Sequence, residues 1–228
     1  MSVLLSIETA TEVCSCALSR NGEIVMNKEN DAKQSHAASL GVFADEIMQF
    51  ARKNNMHIDA IAVSSGPGSY TGLRIGVSEA KGLAYGLNVP LIAIPTPTIM
   101  AAIVKDRVEK NTLLCPMIDA RRMEIYATFF DTSLHTIRKT SADIVEENSY
   151  RDLLDKQKVA FFGNGAEKCK SVIHHPNALF IPDIKPRASV LALLAEKAFD
   201  EQDFVDIAYF EPFYLKEFVA TVPKNKLR

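Results

Sequence analysis

Short apolar runs separated by polar turns open the chain and predict strands. Residues 3–7 and 13–18 are apolar runs of the buried-strand type, joined by a polar connection that predicts a hairpin. The pair Asn21-Gly22 is a strong short-range signal for a tight type I′ turn, and it leads into a third strand over residues 23–27. Three antiparallel strands are therefore expected at the start.

Helical and strand-like patterns alternate in the next part of the chain. Apolar residues recur at helical spacing from residue 34 to about 54, with Ser35 as the expected N-cap. A strand over 58–63, a glycine-rich loop, a helix over 73–87 and a strand over 89–94 follow. The order β-β-β-α-β-α-β predicts a mixed sheet with helices packed on it, rather than an all-parallel dinucleotide-binding half.

The second half of the chain resembles a degenerate repeat of the first. Its predicted elements are strands at 113–118, 124–130, 136–145 and 159–162 and helices at 149–156 and 190–199. Two similar halves predict two lobes with an open cleft between them. The expected N-terminal lobe covers residues 1–103 and the C-terminal lobe 104–228, with the last helices free to pack back on the first lobe.

Composition and charge indicate an ordinary globular protein. The 228 residues are 47% hydrophobic and 24% charged, and 26 basic against 28 acidic residues give a net charge of −2 at pH 7. This balance argues against a broad phosphate-binding surface. The cysteines form no C-x-x-C pair or zinc-type spacing, so reduced structural thiols are expected. No apolar run approaches the ~18 residues of a membrane span, so we expect a soluble, cytoplasmic protein with no membrane partner.

The glycine-rich stretch Ser65-Gly-Pro-Gly-Ser-Tyr-Thr-Gly-Leu-Arg-Ile-Gly76 has the look of a phosphate loop. A Walker loop ends in Gly-Lys-Ser/Thr, whereas this loop ends in Thr-Gly-Leu. Its glycines are spaced one residue too wide for a dinucleotide fingerprint, and a nucleophile elbow needs serine at position 68. The favoured interpretation is structural: Ser69 or Thr71 caps the helix, and the glycines permit close backbone approach. An anion at the helix N-terminus is left open.

Several stretches together resemble the bacterial TsaB (YeaZ) family. They are Leu5-Ser-Ile-Glu-Thr9, residues 66–76, Val89-Pro90 and 119–126, with looser matches at 163–166 and 212–216. The resemblance implies an α/β protein of the actin/Hsp70/sugar-kinase-like (ASKHA) fold, with two related lobes and mixed sheets flanked by helices. It also implies a role in installing threonylcarbamoyladenosine (t6A) beside the anticodon of tRNAs.

In that pathway, the resemblance assigns the chemistry to TsaD, a paralogue with a metal-binding H-x-x-x-H motif. Here Thr96 and Met100 stand at the ligand positions, and no histidine lies between residues 58 and 134. The D-x-G of active members of the fold is replaced by Glu8-Thr-Ala10. We therefore expect a catalytically retired copy with no catalytic residues, metal or cofactor, and leave a nucleotide open at a subunit boundary.

The resemblance further implies a heterodimer with TsaD through the two helices predicted at residues 35–54 and 73–87. A TsaE-type ATPase would join the complex, a threonylcarbamoyl-AMP synthase would act in the pathway, tRNA would bind only through the complex, and a homodimer could form alone. Candidate partner-binding residues are His36, Leu40, Gly72, Leu73, Arg74, Ile75, Gly76 and Glu79. Candidate nucleotide or anion contacts are Glu8, Thr9, Gly66, Gly68, Ser69, Asp119, Arg121, Gly163 and Gly165.

The second predicted helix and the turn at residues 119–124 carry further small and charged residues. The second helix carries small residues at 72, 76, 80, 82, 84 and 86, which suggests close approach to the sheet or to another subunit. Arg74 opposes the helix dipole in the first turn, so it is expected to pair with a carboxylate or an anion. The turn holding Asp119, Arg121, Arg122 and Glu124 is either a phosphate-facing site or a self-satisfied ion network.

Two other functions compete with that of a scaffold subunit. A free-standing ATP-dependent phosphotransferase of the same fold would need a carboxylate–magnesium–phosphate site, for which Glu8, Asp119 and the glycines at 163 and 165 are the support. A metallopeptidase would need metal ligands that the sequence lacks. The scaffold is the favoured hypothesis and the phosphotransferase the alternative.

Overall fold

The computed structural model describes residues 1–32 and 36–215, and its first lobe is built on a five-stranded sheet. The strands are β1 (Val3–Glu8), β2 (Cys14–Arg20), β3 (Glu23–Asn30), β4 (Ala60–Ser64) and β5 (Leu91–Ile94), in the order β3-β2-β1-β4-β5. β2 runs antiparallel to β1, whereas β4 is parallel to β1. Asn21 and Gly22 both have positive φ, which confirms the predicted tight turn between β2 and β3.

The second lobe repeats this topology. Its strands are β6 (Leu113–Asp119), β7 (Glu124–Phe130), β8 (Thr136–Ile144), β9 (Val159–Phe162) and β10 (Ala178–Ile181), in the order β10-β9-β6-β7-β8. Read from the third strand of the lobe, the order is again third, second, first, fourth, fifth. β6 and β7 are antiparallel and β9 is parallel to β6, as in the first lobe. The predicted pair of related lobes is therefore confirmed.

Helices cover both faces of the first sheet. The helices are α1 (His36–Lys53), α2 (Tyr70–Leu87), α3 (Thr96–Val104), α4 (Arg151–Leu154), α5 (Ala166–Lys170) and α6 (Ala188–Asp200). Leu40 of α1 and Val77 of α2 share one core cluster with Ile7 of β1. On the other face, Leu191 of α6 packs against Leu4 of the same strand. α6 thus follows the second sheet in sequence but packs on the first.

Three short elements were not predicted: α3, α5 and β10. α3 is apolar on nearly every side, so it lacks the helical periodicity that reveals an amphipathic helix. α5 has five residues and β10 four, too few for a pattern to emerge. The division between residues 103 and 104 falls within α3, whose Met100 packs with Leu114 of the second sheet. That boundary stays a prediction.

Element boundaries also differ from expectation. α2 begins at Tyr70, three residues earlier than predicted, because Ser69 is the N-cap. The helix expected over 149–156 is reduced to the single turn of α4. Ser35, the predicted cap of α1, lies outside the described residues, as do residues 216–228 with the basic tail. Within the described ranges, no helix combines the length and apolarity needed to cross a membrane.

Candidate functional site

The glycine loop between β4 and α2 packs directly on the hairpin between β1 and β2. A Cβ atom at Gly68 would overlap the carbonyl oxygen of Ala10, and one at Gly72 would overlap that of Thr9. The backbone N–H of Ser69 donates to the Ala10 carbonyl at 2.7 Å. The close backbone approach that the glycines permit is therefore made to the protein's own hairpin.

Helix α2 is capped within the same contact. The Ser69 hydroxyl accepts a hydrogen bond from the Gly72 N–H at 3.2 Å, which confirms the predicted side-chain cap. The Thr9 hydroxyl donates to the Gly72 carbonyl at 2.8 Å, and a Cβ at Gly76 would overlap that hydroxyl. The start of α2 is thereby fixed against β1.

Glu8 lies at the end of β1 and is fully buried. Its Oε1 accepts the Ala10 N–H at 2.6 Å, while Oε2 has no hydrogen-bond partner in the part of the chain that the structure describes. Burial raises the pKa of Glu8 to about 7, partly offset by the Ala10 amide and the neighbouring Ser64 hydroxyl. The carboxyl is thus beneath the surface, rather than facing a solvent-filled phosphate pocket.

A segment near the end of the described chain lies over the other side of the glycine loop. The Phe213 N–H donates to the Ser65 carbonyl at 2.7 Å. A Cβ at Gly66, whose φ is +98°, would lie 2.9 Å from the Phe213 carbonyl oxygen. The Tyr214 ring packs on Tyr70 with 5.0 Å between ring centroids. The loop is therefore held between the first hairpin and residues 213–214.

Arg74 contacts an aromatic neighbour in its own helix. Its Nη1 donates to the Tyr70 hydroxyl at 2.9 Å, and its guanidinium lies 5.4 Å from the centroid of that ring. Among the described residues, no carboxylate forms an ion pair with Arg74. Within the described residues the contact of Arg74 is thus aromatic, because Tyr70 lies one helical turn before it. A carboxylate or anion from outside the chain as a partner of Arg74 stays a prediction.

The turn between β6 and β7 is a self-satisfied network centred on Lys168, a residue that sequence reasoning missed. The Lys168 ammonium pairs with Asp119 and donates to the carbonyl oxygens of Arg122 at 2.7 Å and Glu124 at 2.6 Å. The Arg121 N–H also donates to Asp119, at 3.2 Å. Asp119 thus has an ion-pair partner within the protein, and a phosphate-facing role of the turn stays a prediction. Sequence reasoning missed Lys168 because it lies 49 positions from Asp119.

The second glycine pair lies beside a contact between the lobes of the two sheets. Gly163, with φ of +101°, and Gly165 both pack on β6, where a side chain would overlap Met117 or approach Asp119. Asn164 between them accepts the Asp119 N–H at 2.9 Å and donates to Glu12 of the first lobe at 3.4 Å. A cavity of about 380 Å³ opens beside them, lined in part by Glu12, Asn164, Lys170 and Lys185.

The predicted partner-binding residues divide into buried and accessible ones. Leu40, Gly72, Leu73 and Gly76 are buried within the lobe, His36, Ile75 and Glu79 are half-buried, and Arg74 is exposed. The buried four support the two helices from beneath, so any effect on a partner would be indirect in this arrangement. Their role in partner binding stays a prediction.

The other glycines of α1 and α2 have no close neighbour among the described residues. A Cβ atom at Gly41, Gly82 or Gly86 would meet nothing within 4 Å. Ser78, Gly82 and Gly86 are exposed and spaced four residues apart, so they form one stripe of small residues along α2. The small residues of α2 therefore form two groups: one group packs on the first hairpin, and the other faces solvent.

The positions that would hold the metal ligands of an H-x-x-x-H helix lie inside the protein. Thr96 and Met100 are one turn apart on α3, and both are buried. Over residues 1–32 and 36–215, no group of three or more His, Cys, Asp and Glu side chains is placed to hold a metal ion.

Comparison with known proteins identifies the family. The model of the family "TsaD: tRNA N6-adenosine threonylcarbamoyltransferase" matches residues 24–224. The tRNA threonylcarbamoyladenosine biosynthesis protein TsaB of Escherichia coli is 30% identical over 95% of this chain and 96% of its own length. TsaB of Haemophilus influenzae is 33% identical over 68% of this chain and 62% of its length.

Solved structures give the same result for the fold. YeaZ from Pseudomonas aeruginosa superimposes with a TM-score of 0.79 at 25% identity, covering 94% of this chain and all of that one. The topology, the two lobes and these matches agree with the ASKHA fold. The chain therefore belongs to the family that the TsaD model describes and, within it, to the TsaB (YeaZ) proteins.

Proposed function

We propose that this chain is a non-catalytic subunit that binds a TsaD-type paralogue and is required for threonylcarbamoyl transfer to the adenosine beside the anticodon of tRNAs. A part in t6A biosynthesis is supported by the matches to TsaB proteins and to the TsaD family model. Binding to a TsaD-type protein is supported by exposed glycines of α1 and α2. The absence of catalysis is supported by the contacts of Glu8 at the end of β1 and of Asp119 at the end of β6.

The observation that carries the proposal is the open space around Gly41, Gly82 and Gly86. A glycine inside an exposed helix costs up to about 1 kcal/mol relative to alanine. No contact within the described chain offsets this cost at these positions. Close approach of another helix is a physical reason for glycines here, because only glycine lets two backbones come together without side chains between them.

Exposed apolar side chains accompany these glycines. Val42, next to Gly41, is 54% exposed, and Tyr85, next to Gly86, is 81% exposed. Glycines that admit a partner backbone beside side chains that gain from burial form a surface suited to helix packing. The same surface could pair two copies of this chain when the partner is absent.

The non-catalytic role is supported by the surroundings of two carboxylates, one at the end of β1 and one at the end of β6. Glu8 is buried beneath the glycine loop, and Asp119 is paired with Lys168. Both carboxylates invoked for the phosphotransferase alternative are thus engaged in the protein's own structure. A TsaE-type ATPase as a further member of the complex and tRNA binding through the complex complete the proposal. A nucleotide at the subunit boundary is left open.

The test is binding of a TsaD-type protein by isothermal titration calorimetry. Gly82→Leu and Gly86→Leu fill the open stripe, so each should weaken binding at least about tenfold while the isolated chain stays folded. Leu193→Gln on α6, which is 56% exposed, is the matched control and should bind normally. Equal binding by all variants would contradict the proposed surface, and no binding by the unaltered chain would contradict the proposed partner.

A further inference from the structure

One ammonium group holds the turn between β6 and β7 together. The side chain of Lys168 reaches from α5 to three oxygen atoms, belonging to the Asp119 carboxylate and to the carbonyls of Arg122 and Glu124. An ammonium has three N–H donors, so this arrangement uses its full donor capacity. The Lys168 side chain is 23% exposed, so the group is largely withdrawn from water.

The backbone of the turn is shaped to present these oxygens. Arg121 and Arg122 have φ of 73° and 51°, a left-handed conformation that is uncommon for residues with a β-carbon. Asn164 fixes the opposite side of the turn by accepting the Asp119 N–H at 2.9 Å. The oxygens thus converge on one point, and a positive charge is needed there to offset the carboxylate.

We propose that Lys168 is a built-in cation of the second lobe, which occupies the point where Asp119 and the two turn carbonyls converge and so closes this turn to external cations. These three oxygens, from the Asp119 carboxylate and the Arg122 and Glu124 carbonyls, form an oxygen cage. The cage would accept a small cation if the lysine were removed. With the lysine in place, one carboxylate oxygen of Asp119 is paired within the protein, while the Asp119 side chain is 45% exposed. Lys168 is then a positioning residue, and the inference is independent of which partner the protein binds.

Chemical rescue tests this inference. Lys168→Ala leaves the cage empty, and its melting temperature should fall by about 4 °C through the loss of three charge-assisted hydrogen bonds. Ammonium or methylammonium chloride should restore at least half of that loss. Tetramethylammonium chloride at the same ionic strength has no N–H donor and should restore nothing. Lys170→Ala, an exposed lysine on the same helix, is the matched control and should melt like the unaltered chain.

Two further variants separate the cage from general salt effects. Lys168→Met fills the path of the side chain with an apolar group, so ammonium should not rescue it. Combining Lys168→Ala with Asp119→Asn removes the anionic ligand and should abolish rescue. Equal effects of ammonium and tetramethylammonium, or rescue in the absence of Asp119, would overturn the proposal.

A direct measurement covers the case in which Lys168→Ala does not fold. Amide hydrogen exchange of residues 119–124 should be faster in Lys168→Met than in the unaltered chain, with exchange in the first lobe unchanged. Unchanged exchange in this turn would overturn the proposal as well.

Discussion

The hydroxyl of Thr9 donates a 2.8 Å hydrogen bond to the carbonyl oxygen of Gly72, joining the first hairpin to the start of α2. Around this bond the backbone of the hairpin contacts the backbone of the glycine loop. The space that a phosphate would take in a phosphate-binding loop is therefore occupied here by the hairpin. α2 is held rigidly at one end by this contact, while the small-residue stripe of its later turns faces outward. The glycine loop thus positions a helix.

The contact between Gly76 and Thr9 can be tested by a double substitution. Gly76→Ala places a methyl group on the Thr9 hydroxyl and should lower the free energy of unfolding by about 2 kcal/mol. Thr9→Ala removes the obstructing oxygen, so the double variant should lose at least ~0.5 kcal/mol less than the sum of the two single variants. Urea denaturation of all four chains measures this coupling. Strict additivity would show that the two residues are not in contact.

Gly82 should respond in the opposite way. Its position is open and helical, so Gly82→Ala should raise the free energy of unfolding of the isolated chain by up to about 1 kcal/mol. The comparison with Gly76→Ala uses the same chemical change on the same helix. A loss of stability at Gly82 would mean that its environment is more crowded than the structure indicates.

Glu8 gives the protein a defined pH dependence. The folded chain keeps the Glu8 proton up to a pKa of about 7, whereas the unfolded chain loses it near the ordinary value of 4.5. The folded state therefore binds more protons between these values, and the free energy of unfolding falls as pH rises, by about 3 kcal/mol from this group. Glu8→Gln removes this contribution.

The comparison requires denaturation of both chains at several pH values. The variant should gain stability relative to the unaltered chain as pH rises from about 5 to about 8, with the largest gain at the upper end. Urea titrations over this range give the difference. A difference independent of pH would show that Glu8 is ionised in the folded protein throughout.

Lys81 should hold the segment that covers the glycine loop. Its ammonium donates to the carbonyls of Ala208 at 3.2 Å and Phe210 at 3.0 Å. Lys81→Met should increase amide exchange in residues 206–214 by about tenfold, corresponding to ~1.4 kcal/mol of local stability, with α1 unchanged. Lys197→Met on α6 is the control, because that lysine is 76% exposed and its ion pair is with Glu201, one helical turn further on. Equal exchange in both variants would assign the segment's order to other contacts.

Local patterns predicted much of the fold. The Asn21-Gly22 turn, the succession of strands and helices along the first lobe and its partial repetition in the second follow from short-range signals. The order of the strands within each sheet was not predicted, because it depends on long-range pairing. The Ser69 N-cap was also predictable from the sequence, because the N–H group from which it accepts a hydrogen bond, that of Gly72, lies three residues away. α3 was missed because a helix that is apolar on nearly every side has no polar face to reveal its period.

The details of the candidate site depended on long-range contacts. The pairing of Asp119 with Lys168 spans 49 positions, and the contact of Gly72 with Thr9 spans 63. No pattern in one sequence connects such residues. The sequence also could not separate the glycines that pack on the hairpin from those that face solvent, because both sets lie on one helix and differ only in direction.

The most direct test of the central claim is threonylcarbamoyl transfer to tRNA in a reconstituted reaction. A TsaD-type protein, a TsaE-type ATPase and the threonylcarbamoyl-AMP synthase would be present, with this chain included, omitted or replaced by Gly82→Leu. ATP hydrolysis by the isolated chain would be measured alongside. We predict product only when the unaltered chain is included, strongly reduced product with Gly82→Leu, and no ATP turnover by the chain alone. Full product without the chain, together with ATP turnover that Asp119→Ala abolishes, would contradict the scaffold account.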